Sequence, residues 1–350
     1  MKIALIGGSS QVGFSLALYL RTYHSEISII SFVRSKYSYR FMNNIGFECE
    51  IINFEEDSGD LFKGFDLVLD FTYPSGQIFE IKSKINNNIS FVINNMDKGA
   101  LYIYMSSIMA FGTATDEIDI KNKIVPRSSY AYLKRLAEKR VSDMSKKHGV
   151  IGVSFRLGQV HGFLQSVTNQ MLNDIAVHDK IRVRGNNNDL TNTVFIDTIC
   201  KSIFEVFKLS KYDKVKEVYT VVSTPQWSLD DLYYYYSLQC KKNVELICFS
   251  KTVNKNRGGL IWNLLSKYRF IFENYILVHL PSLALLSKGI YREYQSNSNS
   301  IQMFKMNYDF HLLGTPPIAC VPNVVSNNIE KTLIQENNLL SIYQELISKS

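Results

Sequence analysis

Tyr130 and Lys134, in Ser128-Ser-Tyr-Ala-Tyr-Leu-Lys-Arg-Leu-Ala-Glu138, stand four positions apart. On a helix that spacing puts both side chains on one face. An ammonium beside a phenol favours the phenolate and lowers its pKa from about 10 toward the working range, so that the tyrosine becomes a usable general acid/base. With 21 tyrosines in the chain such a pair recurs by chance. Its meaning comes from upstream, where the apolar run Leu101 to Met105 ends in Ser106-Ser107. A hydroxyl there would hydrogen-bond the substrate oxygen that the tyrosine protonates.

A second constellation opens the chain. Lys2-Ile-Ala-Leu-Ile-Gly-Gly-Ser-Ser-Gln-Val-Gly13 places a strand before a glycine turn, followed by the apolar helix Phe14 to Leu20. Gly7 would allow the tight turn, and Gly13 would let helix and strand pack closely. Ser9, Ser10, Gln11 and Val12 would bring backbone N–H groups to a pyrophosphate at the helix N-terminus. After the second apolar run, Ile27 to Val33, an NAD-binding chain normally carries a carboxylate for the ribose hydroxyls. No acid occurs between Glu26 and Glu48. Arg34, Lys36 and Arg40 follow instead, and a guanidinium there would hold a 2′-phosphate. The expectation is NADP in preference to NAD, the alternative being solvated loop cations.

The elements that must position these residues alternate along the first 225 residues. Apolar runs at Lys2–Ile6, Ile27–Val33, Asp66–Phe71, Leu101–Met105 and Val150–Arg156 are separated by helix-like stretches. This is the pattern of βαβ units on a parallel sheet covered on both faces. The expected architecture is α/β, a Rossmann-type doubly wound parallel sheet with a smaller C-terminal α/β substrate lobe. Residues 1–160 would form the NAD(P)-binding core, with further core segments within 190–225. Residues 161–350 would supply mainly the substrate-binding lobe, where Gly185 to Asp189 reads as a turn and Ser228 to Gln239 as a capped helix. The apolar stretch Gly258 to Tyr294 is too often broken by charge and by Pro281 to span a bilayer. It reads as helices packed on the small lobe, with a peripheral membrane or partner-binding segment as the alternative.

The formal charge is +7, spread along the chain, which suits a phosphate-bearing small molecule better than nucleic acid. Five scattered cysteines without C-x-x-C point away from a disulfide framework and toward a reducing cytoplasm. The six histidines form no metal-binding pair, and no metal is expected. The N-terminus reads as a strand, not a secretory signal.

With these features in place the chain resembles the extended short-chain dehydrogenase/reductases, the family of nucleotide-sugar epimerases, dehydratases and reductases. The resemblance runs through Gly7 to Gly13, Asp66 to Asp70, Tyr104 to Gly112, Pro126 to Glu138, Arg156 to Gly162, Val194 to Asp197 and Gly314 to Pro317. It implies Ser107 as the catalytic hydroxyl, Tyr130 as acid/base, and Lys134 as its electrostatic partner and a nicotinamide-ribose ligand. Asn88 resembles the helix asparagine of the family's proton relay. Gln159, Arg182 and Arg184 are the expected substrate ligands, with Arg156 a further candidate for a diphosphate.

Three positions depart from the family pattern. Ser10 replaces a glycine, Phe163 stands where a proline follows the glycine, and Thr191 falls about where many relatives carry a diphosphate-binding arginine. A 4,6-dehydratase would carry an Asp-Glu pair after the hydroxyl, whereas Ile108-Met109 follows Ser107. The expectation is an NAD(P)-dependent epimerase or reductase of a nucleotide-linked sugar, in surface polysaccharide synthesis. The alternatives are a reductase of an apolar alcohol or ketone and a non-catalytic NADP-sensing regulator. A homodimer is compatible with either.

Overall fold

The computed structural model describes residues 1–55, 59–111, 128–249 and 319–349. Seven parallel strands form the central sheet: β1 (Lys2–Ile6), β2 (Ser28–Val33), β3 (Cys49–Ile51), β4 (Leu67–Asp70), β5 (Leu101–Ser107), β6 (Ile151–Leu157) and β10 (Val218–Val221). Their spatial order is β3-β2-β1-β4-β5-β6-β10, a doubly wound Rossmann sheet whose order reverses between β1 and β4. Between them run α1 (Gln11–Tyr23), α2 (Lys36–Asn44), α3 (Ile78–Asn94) and α4 (Ser129–His148).

Period-two alternation divides the strand side chains between two cores. Ile3, Leu5, Ile103, Met105, Phe155 and Leu157 face the layer of α1. Ala4, Ile6, Val68, Tyr102 and Tyr104 face the layer of α3 and α4. Apolar residues on both faces explain why these strands read as continuous hydrophobic runs. The segment from residue 196 belongs to the first layer, where α6 (Ile196–Ser210) packs on α1 and β10 pairs with β6.

The smaller lobe contains α5 (Ser166–Val177), β8 (Lys180–Arg184), α7 (Leu229–Cys240) and β11 (Glu245–Phe249), with β8 and β11 paired in parallel. Its own cluster includes Met171, Ile175, Phe195, Trp227, Tyr235 and Tyr236. The expected helix there has Ser228 as its N-cap, with Asp231 completing a capping box. Two short strands, β7 (Gln159–Val160) and β9 (Thr193–Val194), link the lobes. A last helix, α8 (Ile329–Ser348), returns to α1, where Tyr343 packs on Phe14 and Asn338 donates to the Tyr23 hydroxyl. All five cysteines are free thiols. Among the described residues no helix is long and apolar enough to cross a membrane. The stretch 258–294 and the Gly314 to Pro317 segment lie outside the described residues.

Candidate active site

A cleft of about 550 Å³ opens at the carboxyl ends of the strands and is lined by Gly7, Ser9, Ser10, Arg34, Ser38 and Tyr73, among others. Its floor depends on three glycines. Gly7 adopts φ +78°, the left-handed region that side chains disfavour. A Cβ on Gly13 would lie 2.5 Å from the Gly7 carbonyl oxygen, and one on Gly8 would lie 2.7 Å from Ser31 Oγ. Gly13 therefore packs on the turn itself, and Gly8, which sequence reasoning passed over, packs on β2. Ser10 takes the N-cap of α1, and its hydroxyl accepts the Gly13 N–H. Gln11 and Val12 form the first turn of that helix. A shallow glycine cradle at a helix N-terminus fits a pyrophosphate, so these residues suit a dinucleotide.

Arg34 borders the same cleft immediately after β2, beside Ser35, which caps α2 by accepting the Ser38 N–H. Lys36 and Arg40 lie on α2 and, like Arg34, are exposed. Among the described residues none of the three has an ion-pair partner.

The chemistry-bearing residues adjoin the cleft through Tyr73, whose ring lies 5.1 Å from that of Tyr130 and 5.2 Å from the Lys134 ammonium. Ser128 caps α4 by accepting the Ala131 N–H, and left-handed Gly149 ends it, so Tyr130, Lys134 and Glu138 follow one another at helical spacing. Ser107 ends β5, and its hydroxyl accepts the Met109 N–H. The Tyr130 ring is 38% exposed and sits 5.1 Å from the ring of Tyr73, another residue that sequence reasoning missed. Tyr73 follows the end of β4 at the point where strand order reverses, and that position was its only signal.

Lys134 lies on the same helix, one turn after Tyr130. Its ammonium donates to the Tyr104 hydroxyl at 3.1 Å and to the Met105 carbonyl at 2.7 Å, and lies 5.8 Å from the centre of the Tyr130 ring. The expected lowering of the phenol is not what results. Burial pushes Tyr130 up, and the nearby Ser107 hydroxyl opposes that shift. Burial pulls Lys134 down to about 8, against the fields of Asp70 and Glu138.

Arg156, expected as a diphosphate ligand, is already committed. It is 2% exposed and forms a two-pronged pair with Glu138 at 2.9 and 2.7 Å, while Ser106 donates to the same carboxylate. Thr191 is also interior, donating to the Trp227 carbonyl. Gln159 stands opposite Thr193 across β7 and β9, and the amide oxygen of the one and the hydroxyl of the other are buried without a partner among the described residues. The backbone of Arg182 and Arg184 lies in β8, in register with Ile247 and Phe249. Asn88 lies in the middle of α3, half-buried, and no hydrogen bond among the described residues joins it to Lys134 or Tyr130. Ile108 to Phe111 form a short 3₁₀ turn after Ser107 that carries no acid.

The model of the NAD dependent epimerase/dehydratase family matches residues 3–221. The chain belongs to that family. No curated protein sequence matches it. Among solved structures it resembles UDP-glucuronic acid 4-epimerase from Bacillus cereus, in complex with UDP-glucuronic acid and NAD, at 14% identity and TM-score 0.54, covering 71% of this chain and 86% of that one. UDP-N-acetylglucosamine 4-epimerase from the same organism is 16% identical, with TM-score 0.55 and coverage of 78% and 96%. The dTDP-glucose 4,6-dehydratase of Bacillus anthracis, in complex with NAD, is 14% identical, with TM-score 0.52 and coverage of 72% and 85%. At these identities the likeness is one of fold.

Proposed function

We propose that this chain is an epimerase or reductase of a nucleotide-linked sugar, acting by hydride transfer and preferring NADP to NAD. The observation that supports the reading most is the packing of Tyr130 on Tyr73, a residue that lines the glycine-floored cleft, one helical turn from buried Lys134. Gly7 to Gly13 would hold the pyrophosphate, and Arg34 with the Ser35 and Ser38 hydroxyls would hold a 2′-phosphate. When bound, the nicotinamide ring supplies the hydride acceptor and donor.

The chain's own residues then handle the proton. Ser107 orients the substrate oxygen, and Tyr130 takes or returns its proton. Lys134 supplies positive charge beneath that exchange. Elimination of water is disfavoured, because neither Ile108 nor Met109 can donate or accept a proton. Gln159 is the favoured substrate ligand, since its buried amide oxygen needs a donor such as a sugar hydroxyl. The solved relatives in complex with UDP-glucuronic acid support a nucleotide diphosphate as the other half of the substrate.

The test is thermal-shift screening of NADP-loaded protein against UDP-, dTDP- and GDP-sugars and against apolar alcohols, followed by turnover assays on whatever stabilises. A ligand that binds the native state alone raises its melting temperature. Stabilisation by a nucleotide sugar, with conversion to an epimer or reduced product, is expected. Stabilisation by the apolar set alone would overturn the sugar assignment.

A further inference from the structure

The underside of Lys134 is unusual in what it offers an ammonium. The residue is 5% exposed, and its amine has two protein acceptors, the Tyr104 hydroxyl and the Met105 carbonyl. An ammonium has three donors, so one N–H is left without a protein acceptor among the described residues. The rings of Tyr73, Tyr104 and Tyr130 surround it at 5.2, 4.7 and 5.8 Å. On the neighbouring strand lies Asp70, which is 1% exposed; burial pushes its carboxyl up, and the Tyr102 hydroxyl at 2.6 Å and the Thr72 N–H at 2.7 Å oppose that shift by donating to it.

Strand alternation produces this arrangement. Tyr102, Tyr104 and Ser106 occupy successive same-face positions on β5, and Asp70 is the register partner of Tyr104 on β4. All four face α4, as their bonds to Lys134, Glu138 and one another show.

We infer that Tyr104 and Asp70 are positioning residues for Lys134. Tyr104 accepts an N–H and so fixes where the amine sits, and Asp70, its register partner on β4, favours the charged form against burial. The catalytic consequence rests on the function proposed above; the hold on Lys134 does not. Burial drives the amine toward neutrality, and only counter-charge and acceptors resist. The groups facing it are Asp70 and Tyr73 from β4 and the loop after it, Tyr104 from β5, and Tyr130 and Glu138 from its own helix. Glu138 is shared with Arg156 of β6, whereas Asp70 has no ion-pair partner among the described residues.

The experiment is NMR titration of side-chain-labelled lysine in the whole protein. The Lys134 signal is assigned by its loss in Lys134→Arg. Wild type is expected to titrate near 8. Tyr104→Phe, which keeps the ring and removes the acceptor, should lower that midpoint by about half a unit or more, the effect of losing one hydrogen bond to the charged form. Asp70→Asn should lower it by about one unit or more. In turnover assays Tyr104→Phe should lower kcat more than it raises KM and displace the pH profile in step with the midpoint.

An unchanged Lys134 midpoint in Tyr104→Phe, with the fold intact, overturns the inference and reduces Tyr104 to a packing residue. A displaced midpoint in a protein that turns over no sugar substrate would uphold the positioning role and sink the functional reading instead.

Discussion

Replacing Glu336 with glutamine should change how stability depends on pH. Glu336 lies on α8, is 3% exposed, and accepts the Phe163 N–H at 3.0 Å. Burial first, and the field of Asp197 after it, push its carboxyl from 4.5 up to about 8, against the Phe163 hydrogen bond. A group whose folded pKa is raised contributes stability that is complete below its unfolded value and is lost as pH climbs through the folded one. The window is therefore about pH 4.5 to 8, where the unfolded chain has released a proton that the native state retains. The native state loses about 1.4 kcal/mol per pH unit there, or roughly 3.5 kcal/mol between pH 5 and pH 8. Glutamine preserves the acceptor for Phe163 and does not titrate. Urea denaturation of both proteins at pH 5, 6, 7 and 8 gives the difference in stability, from which titrations common to both cancel. Near parity at pH 5, with Glu336→Gln the more stable by several kcal/mol at pH 8, is expected. A constant gap across the range would mean that Glu336 is solvated or already ionised in the native state, and the reasoning would fail.

Tyr130→Phe should bind cofactor almost normally, by fluorescence titration, yet lose at least about a hundredfold in turnover, the scale for removing a general acid/base; near-wild-type turnover would remove Tyr130 from the chemistry. Arg34→Ala should narrow the preference for NADPH over NADH by about tenfold or more, the worth of a charge-assisted hydrogen bond, and equal affinities in the wild type would refute the assignment of that arginine. Arg156→Met should cost about 3–5 kcal/mol by leaving Glu138 buried without its cation, and adding Glu138→Leu should recover much of the loss. A loss under 1 kcal/mol in denaturant melts would show that the pair is solvated.

Much of this fold was legible because its signals are local. The strand, glycine turn and helix at Lys2 to Leu20 are contiguous, and so is the spacing of Tyr130 and Lys134. The partners of those residues are not. Lys134 finds its acceptors on a strand 29 and 30 positions away, and Arg156 spends its guanidinium on Glu138, so neither the ammonium's aim nor the arginine's commitment shows in spacing alone. Thr191, read as falling about where a diphosphate-binding arginine was expected, bonds a carbonyl 36 residues on. The acid-free run after β2 was readable as charge, and the structure adds the place where Arg34 meets the cleft. Tyr104 could have been found by counting alternate positions back from Ser106, which sets it on the face that α4 covers.

The contact between Glu336 and the turn at Gly162 and Phe163 bridges 173 positions, and Tyr343 of the same helix covers Phe14 and Phe163. During synthesis at about 5–20 residues per second, the turn emerges roughly 9 to 35 seconds before the glutamate that receives its N–H. Through that interval the outer face of α1 lacks the cover that α8 will give it. Nascent chains stalled before residue 329 should therefore be held by chaperones and cut readily near Phe163, and release from both should coincide with the arrival of the last helix.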